Sequence, residues 1–409
     1  MCGIAGFIDF NKQSTEVELK QMTDVLAHRG PDGAGYAIIQ NIHATVGLGH
    51  RRLSIIDLSP LGAQPMKWEH LEIVFNGEIY NFQEIKDQLI SIGHQFIAQS
   101  DTEVLLHAYQ EWGTAMIDHL IGMFAFVIYD KQEQKLFIGR DRMGVKPLYY
   151  YWKDGTFLFA SELKSFHEHP QFNKKLNING LASFLQYGNV PGGSSIFQNT
   201  HKLTPGHYLI IDLAQPDIKE IKYWSAYDSY NKPIRDISLA AAKSITKEKI
   251  IQACKYRMVA DVPVGIFLSG GYDSTAVTAI LQENSTQQLR TFTIGVEDEV
   301  LNEAPFAAQI AQHLGTDHHS FTCTTAYALE VIPKLAEMYD EPFGDSSAIP
   351  TYLVSKMARE QVTVALSADG GDELFAGYNR YDYLVKYTKT IGRLPKVIRK
   401  TGAKIMHWI

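Results

Sequence analysis

The chain has 409 residues, of which 45% are hydrophobic and 20% charged, with a formal net charge of −7. This composition excludes a disordered or fibrous chain, and the length favours two or three folded domains. The mild acidity argues against binding nucleic acid through bulk charge. No apolar run is long enough to span a membrane, the first 30 residues do not resemble a secretory signal, and three scattered cysteines predict no disulfide framework. We therefore expect a cytoplasmic protein with neither nucleic-acid nor membrane partners.

Residues 2–165 predict a layered α+β domain in which sheet dominates. Short β-type runs alternate with turn signals such as Asn76-Gly77, and helical patterns cover Ser14–Ala27 and Phe82–Ile92. The predicted strands are Gly3–Ile8, Ala44–Leu48, Ile73–Phe75, Met123–Tyr129, Lys135–Gly139, Leu148–Trp152 and Phe157–Ala160.

Residues 166–237 predict a mixed connecting region, and residues 238–409 a second domain of alternating helices and short apolar strands. Such alternation favours a parallel sheet, whose ligands lie beyond the carboxyl ends of its strands. The predicted strands are Val264–Leu268, Thr291–Val296 and Val362–Leu366; the predicted helices are a long one ending at Met258, then Ser274–Glu283, Glu303–Leu314 and Tyr327–Tyr339. The basic, apolar terminus that ends in Ile405–Ile409 is expected to belong to an incomplete domain.

The N-terminal residues carry the first chemical signal. Removal of Met1 would leave Cys2 with a free α-amine, whose pKa of about 7.7 to 8 suits it to accept the thiol proton. Nucleophile and base would then be one residue. From position alone, Cys2 is equally a small hydrophobe in an N-terminal strand.

Four further segments give Cys2 a context. They are His28–Gly33, His50–Asp57, Asn76–Asn81 and Ser100–Glu103. Together with Cys2, they resemble the class II glutamine amidotransferase domain of the N-terminal-nucleophile hydrolases, which implies layered antiparallel sheets and a catalytic Cys2. Within the first segment, Arg29 is expected either to position the thiol region or to hold a structural turn.

The resemblance implies how glutamine is held. Attack by a thiolate creates an oxyanion that needs preorganised donors, and the family match places them at the Asn76 side chain and the Gly77 N–H. It also implies that Arg52 binds the substrate carboxylate and Asp101 the ammonium group. Further glutamine contacts are implied for Leu53, Ile56 and Glu78.

The second chemical signal follows Val264–Leu268. That strand runs into Ser269–Ser274 and then directly into a helix, so small residues and a helix N-terminus could cradle phosphate. The loop lacks the Gly-Lys-Ser or Gly-Lys-Thr of a Walker A motif. A plain glycine-rich turn remains the alternative from these residues alone.

The Ser-Gly-Gly-x-Asp-Ser pattern resembles the pyrophosphate loop of ATP pyrophosphatases. With Arg257–Gly265, Tyr339–Ser347 and Leu366–Tyr378, it resembles the synthetase domain of asparagine synthetases, so the likeness extends from residue 2 to residue 378. The implied nucleotide contacts are Leu268, Ser269, Gly270, Gly271, Asp273, Ser274, Ile294, Ser367 and Ala368.

Three acidic residues carry further implied roles. Asp273 and Asp372 follow predicted strands and match residues that hold Mg²⁺ on the polyphosphate. Asp369 stands where some family members have Glu, a residue implicated in acyl-adenylate chemistry, and its role here is open. Tyr272 replaces the usual aliphatic residue of the loop and is expected to point away from phosphate.

The resemblance as a whole implies a ligase that uses glutamine, aspartate and ATP. Ammonia released at Cys2 would attack β-aspartyl-AMP to give asparagine, and a homodimer fits the family. Three alternatives remain: a different carboxylate acceptor, as in β-lactam or surface-polysaccharide enzymes, a glutaminase-only fragment, or a non-catalytic one. The family's usual later Lys motif does not occur before Ile409, so weak synthetase activity is expected.

Overall fold

The computed structural model describes residues 1–300 and 302–406, which fall into two units. Unit 1 comprises Met1–Pro263, Thr324–Leu353 and Gln361–Val364; unit 2 comprises Val264–Cys323, Val354–Glu360 and the chain from Ala365 onward. The domain boundaries at 165 and 237 stay predictions. Of the apolar terminus, residues 407–409 lie outside the described residues. Within the described ranges, no helix has both the length and the apolar character needed to cross a membrane.

Unit 1 is built on two six-stranded antiparallel sheets. Its strands are β1 (Gly3–Asp9), β2 (Gly33–Gln40), β3 (Thr45–Arg52), β4 (Met66–Trp68), β5 (Leu71–Ile79), β6 (Gly122–Asp130), β7 (Lys135–Arg140), β8 (Tyr149–Lys153), β9 (Thr156–Ala160), β10 (Thr200–Lys202), β11 (His207–Asp212) and β12 (Asp217–Lys222). The first sheet has the order β10-β8-β9-β1-β3-β2, and the second β12-β11-β7-β6-β5-β4. The chain between 166 and 237 thus supplies strands to both sheets.

The two sheets pack against each other around a shared core. The position of β6 between this core and the helices explains why its sequence is apolar from Met123 to Ile128. Ala125 and Val127 point into the cluster that also holds Ile4 and Val46 from the first sheet. Their neighbours Phe124, Phe126 and Ile128 point to the opposite face, into a separate cluster that holds helical residues. Because side chains alternate along a strand and both faces are covered, every position of β6 from Phe124 to Asp130 is buried.

The helices that precede Pro263 in unit 1 are, in chain order, α1 (Glu16–Asp24), α2 (Phe82–Ser91), α3 (Asp101–Trp112), α4 (Met116–His119), α5 (Lys164–His167), α6 (Ile178–Tyr187), α7 (Ala226–Tyr230) and α8 (Leu239–Arg257). Residues of α1 to α6 pack on the outer faces of the two sheets. Leu19 of α1 and Phe166 of α5 pack on the first sheet, whereas Ile85 of α2 and Leu105 of α3 pack on the second. The result is a helix–sheet–sheet–helix arrangement.

Unit 2 contains the parallel sheet. Its order is β15-β14-β13-β16, from β13 (Val264–Phe267), β14 (Arg290–Val296), β15 (Asp317–Cys323) and β16 (Val364–Leu366), with β13 and β15 both parallel to β14. The helices after β13 and β14 are α9 (Tyr272–Glu283) and α10 (Ala304–Leu314). Of the later helices, α11 (Thr325–Val331) and α12 (Leu335–Met338) belong to unit 1, and α13 (Ala348–Arg359) is divided between the units. Unit 2 also contains α14 (Gly371–Phe375), α15 (Arg380–Lys389) and α16 (Lys396–Met406).

Two parts of the second half differ from the sequence-based expectation. The helix expected over Tyr327–Tyr339 is interrupted by a 3-10 turn at Ile332–Lys334, because Pro333 cannot donate a backbone hydrogen bond. Strand β15 was not expected, since its residues are mostly polar and lack the apolar run of its neighbours.

Asp141 organises the loop that follows β7. This buried carboxylate accepts four backbone N–H groups at 2.9 to 3.2 Å, from Phe124, Met143, Val145 and Lys146. Replacement by alanine would leave these donors without an acceptor. We expect Asp141→Ala to lower the free energy of unfolding by about 3 kcal/mol, measured by urea denaturation.

The matched control is Asp87→Ala, which removes an exposed carboxylate from α2. Its effect is expected to stay within about 0.5 kcal/mol. Equal losses in the two variants would show that the buried hydrogen-bond cluster at Asp141 is not what stabilises the loop.

Candidate active sites

A pocket with about 500 Å³ of open space lies beside Cys2 in unit 1. Every residue that the sequence assigned to glutamine binding lines it, namely Arg52, Leu53, Ile56, Asn76, Gly77, Glu78 and Asp101. The other lining residues are Met1, Ile55, Gly62, Gln64, Phe75, Ser100, Thr102 and Lys146. The structure thus brings the predicted residues together, while their individual roles stay predictions.

Cys2 precedes β1, and its thiol lies against the backbone of Leu53. The Leu53 N–H donates to the Cys2 Sγ at 3.4 Å, and the Sγ–H can donate to the Leu53 carbonyl at 3.6 Å. The Arg29 Nε donates to the Cys2 carbonyl at 3.0 Å, and its Nη1 bonds the Glu162 carboxylate at 2.7 Å. Arg29 therefore holds the backbone of Cys2 and is itself paired with the Glu162 carboxylate.

Burial controls the titration of the groups at the chain start. It raises the pKa of the Cys2 thiol, which the Leu53 N–H opposes. Burial also lowers the pKa of the Met1 α-amine to about 5. The Met1 α-amine is therefore neutral at neutral pH.

Asn76 and Gly77 lie near the end of β5, at the pocket wall. The Asn76 side chain is fully buried, yet neither its Nδ2 nor its Oδ1 has a hydrogen-bond partner among the described residues. Buried polar atoms without a partner are uncommon and call for an explanation. A Cβ at position 77 would overlap the Met123 carbonyl, so this position requires glycine.

Arg52 and Asp101 lie on the same pocket. The Arg52 Nη1 donates to the Ser59 carbonyl at 3.0 Å and its Nη2 to the Asp57 carbonyl, which leaves other guanidinium N–H groups available. Asp101 begins α3, and its Oδ2 accepts the Ile79 N–H at 3.0 Å. Burial raises the pKa of Asp101 to about 7, with the Ile79 N–H opposing the shift.

The segments Arg257–Gly265 and Tyr339–Ser347, which resemble the synthetase family, also contact residues of the amidotransferase-like part of unit 1. The Asp261 N–H donates to the Ile55 carbonyl at 2.9 Å, and the Asp261 Oδ2 accepts the Asp57 N–H at 2.8 Å. Asp261 is thereby bonded to the loop that carries the pocket residues Ile55 and Ile56. Similarly, Lys164 lies 3.5 Å from the Asp340 carboxylate.

The sequence analysis missed Lys146 and Gln64. Gln64 bridges the pocket wall, since its Oε1 accepts the Phe75 N–H at 2.6 Å and its Nε2 donates to the Thr102 hydroxyl at 3.2 Å. Neither residue carries a sequence signal that distinguishes it from a surface residue. Only the fold places them on the pocket.

In unit 2, the loop after β13 has the form of a phosphate cradle. The Ser269 N–H donates to the Ser274 hydroxyl at 3.2 Å, and Gly270 has a φ of +89°, which favours glycine. Helix α9 is preceded by Gly271, which has no side chain to cap it, so the first N–H groups of the helix remain suited to an added acceptor such as phosphate. Tyr272 is 95% exposed.

The remaining predicted residues of the nucleotide site gather around the same sheet edge. Leu268 is buried, and its carbonyl accepts the Thr293 hydroxyl of β14, next to Ile294. Ser367 and Ala368 follow β16, and the Ser367 hydroxyl donates to the Asp369 carboxylate at 2.6 Å.

Asp273 lies beside the turn that carries Asp372. A Cβ at Gly371 would overlap the Asp273 carboxylate, Asp372 is the next residue, and the Asp372 carboxylate lies beside Gly377. No group of three or more His, Cys, Asp or Glu side chains forms a metal cage within the described chain. Two carboxylates supplemented by phosphate oxygens are, however, the usual Mg²⁺ arrangement in ATP sites, so these residues fit an ion delivered with its nucleotide.

The comparisons with known proteins identify two domains along the chain. A sequence family described as "Glutamine amidotransferase domain" matches residues 1–224, and one described as "Asparagine synthase" matches residues 246–408. A Methanocaldococcus jannaschii protein, provisionally named asparagine synthetase (glutamine-hydrolyzing) 2, is 40% identical over 99% of this chain and 81% of its own. Bacillus subtilis asparagine synthetases (glutamine-hydrolyzing) 1 and 3 are 36% and 32% identical over 98% and 92% of this chain.

The chain spans 62% and 63% of the length of those two Bacillus proteins. Among solved structures, the glutamine phosphoribosylpyrophosphate amidotransferase of B. subtilis is 15% identical over 86% of this chain and 96% of that one, with a TM-score of 0.43. That likeness is too distant to characterise the fold further.

The fold and the Cys2 pocket define the class as a glutamine amidotransferase domain followed by a synthetase domain with a parallel sheet. Within that class, the chain belongs to the family of glutamine-hydrolysing asparagine synthetases. The family resemblance and the fold class predicted from the motifs are confirmed.

Proposed function

We propose that this chain releases ammonia from glutamine at Cys2 and uses ATP to transfer it to aspartate, forming asparagine. The observation that carries the proposal is the fully buried Asn76 amide, which has no protein partner among the described residues although it lies on the pocket of Cys2. A site of this kind suits an oxyanion that exists only during the reaction.

At Cys2, the thiolate attacks the side-chain amide carbon of glutamine, and the α-amine of Cys2 takes up the thiol proton. The Asn76 amide and the Gly77 N–H stabilise the resulting oxyanion. The C–N bond then breaks, ammonia leaves with the proton, and water hydrolyses the thioester to glutamate. Arg52 and Asp101 hold the carboxylate and ammonium of the substrate through opposite charges.

In unit 2, the loop at Ser269–Ser274 binds the ATP phosphates through backbone N–H groups and the start of α9. Asp273 and Asp372 hold Mg²⁺, which neutralises phosphate charge when bound. The aspartate β-carboxylate attacks the α-phosphorus and releases pyrophosphate. Ammonia displaces AMP from the β-aspartyl-AMP formed, because an acyl-adenylate is a far better acyl donor than a free carboxylate. Asp369 accepts a hydrogen bond from the Ser367 hydroxyl at 2.6 Å, so its carboxylate lies beside a predicted nucleotide contact.

The localisation, oligomeric state and partners of the enzyme are also proposals. Its two family matches and its small-molecule chemistry fit a cytoplasmic homodimer with no nucleic-acid or membrane partner. The family names of its relatives favour aspartate over another carboxylate acceptor.

The test is to supply glutamine labelled with ¹⁵N in its amide, together with aspartate and MgATP. We expect labelled asparagine, with one AMP and one pyrophosphate per asparagine. Formation of ADP and phosphate instead would exclude the adenylate. Labelled ammonia without asparagine would reduce the function to that of a glutaminase.

The pKa of Asp101 predicts how glutamine binding depends on pH. Below pH 7 burial keeps this carboxyl largely protonated, so it loses its attraction for the substrate ammonium. The ionised fraction of Asp101 falls from about one half at pH 7 to about one tenth at pH 6, so the KM for glutamine is expected to rise about fivefold over this range in glutaminase assays. In Asp101→Asn the KM should be raised throughout and independent of pH in this range. A wild-type KM that stays constant from pH 8 to pH 6 would contradict the assignment.

A further inference from the structure

Lys146 is a buried cation on the wall of the Cys2 pocket. Its side chain belongs to the pocket lining, and the residue is 2% exposed. The backbone is held firmly, since its N–H donates to the Asp141 carboxylate at 3.0 Å and its carbonyl accepts the Arg140 Nε at 2.8 Å. A rigid loop therefore holds this ammonium at the pocket.

The Lys146 ammonium has no hydrogen-bond acceptor and no carboxylate within 4.0 Å in the described ranges, although its backbone is fully bonded. An ammonium removed from water is costly unless a negative charge compensates it. The nearby Asp141 carboxylate also favours the charged lysine, but its oxygens already accept four backbone N–H groups. Further compensating charge is available from ionisable groups of the pocket.

Two acidic groups of the pocket, which become negatively charged when they lose a proton, interact with Lys146. Glu78 lies on the same wall and favours the protonated form of the lysine, although burial raises the pKa of Glu78 itself. The other group is the Cys2 thiol. The thiol has one backbone donor, the Leu53 N–H at 3.4 Å, which is little support for a buried thiolate.

We propose that the Lys146 ammonium is the counter-charge of the Cys2 thiolate and acts as a positioning residue of the ammonia-releasing site. The inference rests on the proposed role of Cys2. Lys146 favours loss of the proton from the Cys2 thiol, so it stabilises the thiolate, which is the form that attacks the amide. The other charged groups facing these two side chains are Arg29, Glu78, Asp101 and Asp141.

The test measures the thiol directly. The rate at which iodoacetamide alkylates Cys2 is followed from pH 5 to pH 10 by mass spectrometry of the N-terminal peptide. Lys146→Met is expected to move the midpoint of the pH–rate curve about one unit higher and to slow alkylation at pH 7 about tenfold. Lys146→Arg keeps the charge and should stay within about twofold of the wild type. The exposed Lys131→Met is the matched control and should change nothing.

An unchanged midpoint in Lys146→Met would overturn the proposal. Should that variant not fold, as judged by thermal unfolding, Lys146→Gln replaces it under the same criterion. Because alkylation needs no glutamine, the test is independent of the proposed function. A midpoint shifted in Lys146→Met, together with a wild type that hydrolyses no glutamine, would support the counter-charge and reject the proposed glutaminase. An unchanged midpoint, together with a wild type that hydrolyses glutamine, would reject the counter-charge and support the glutaminase.

Discussion

Replacing Cys2 with alanine is expected to abolish asparagine formation from glutamine while leaving formation from ammonium intact. Loss of a nucleophile that forms the covalent intermediate costs about 10⁴-fold or more in kcat. The pocket that holds Cys2 consists of residues from unit 1, whereas the predicted nucleotide residues lie in unit 2. The substitution therefore removes the ammonia supply without touching the ATP loop.

The measurement is asparagine formed with MgATP and aspartate, with glutamine or ammonium chloride as the nitrogen source. Cys254→Ala, which changes a buried thiol of α8 away from the pocket, is the control and should retain both activities. Loss of ammonium-dependent synthesis in folded Cys2→Ala protein would contradict the prediction, because it would show that asparagine synthesis from ammonium also depends on Cys2.

The second large effect is expected at Asn76. Removing one oxyanion donor typically costs about 10²- to 10³-fold in kcat, and we expect Asn76→Ala to lose glutaminase kcat by that factor with little change in KM. Because both polar atoms of the Asn76 side chain lack a protein partner among the described residues, the substitution breaks no hydrogen bond of the fold. The free energy of unfolding should therefore be almost unchanged.

Asn81 is the matched control, a buried asparagine five residues further along. Its Nδ2 donates to the His119 carbonyl at 3.0 Å and its Oδ1 accepts the Ile121 N–H at 2.8 Å. Asn81→Ala should cost about 2 kcal/mol in stability and leave the kcat of the folded protein intact. If Asn76→Ala proves as destabilising as Asn81→Ala and equally active, Asn76 is a structural residue.

Much of the fold was predictable because local patterns agree with the packing. The apolar run in β6 predicted a strand buried on both faces, and the structure has one there. Helix α3 was not predicted, because its sequence shows no amphipathic pattern. Its residues from Asp101 to Ala108 are all buried, so no polar face marks the helical period. A capping signal was present, since the Ser100 hydroxyl accepts the Glu103 N–H.

The candidate site was predictable only as far as its motifs extend. The segments around Arg52, Asn76 and Asp101 carry recognisable patterns, and all three residues line one pocket. Lys146 and Glu162 reach the neighbourhood of Cys2 through long-range packing, as the bond between Arg29 and Glu162 across 133 residues shows. Residue type and spacing contain no information about such contacts before the sheets are assembled.

The central claim is that the mature chain begins with Cys2, whose thiol attacks glutamine and whose α-amine takes the proton. The most direct measurement is the mass of the N-terminal peptide of active protein before and after reaction with the glutamine analogue 6-diazo-5-oxo-norleucine. We predict a peptide that lacks Met1 and carries the label on Cys2, with glutaminase activity lost in proportion. Active protein that retains Met1, or inactivation with the label on another residue, would contradict the claim.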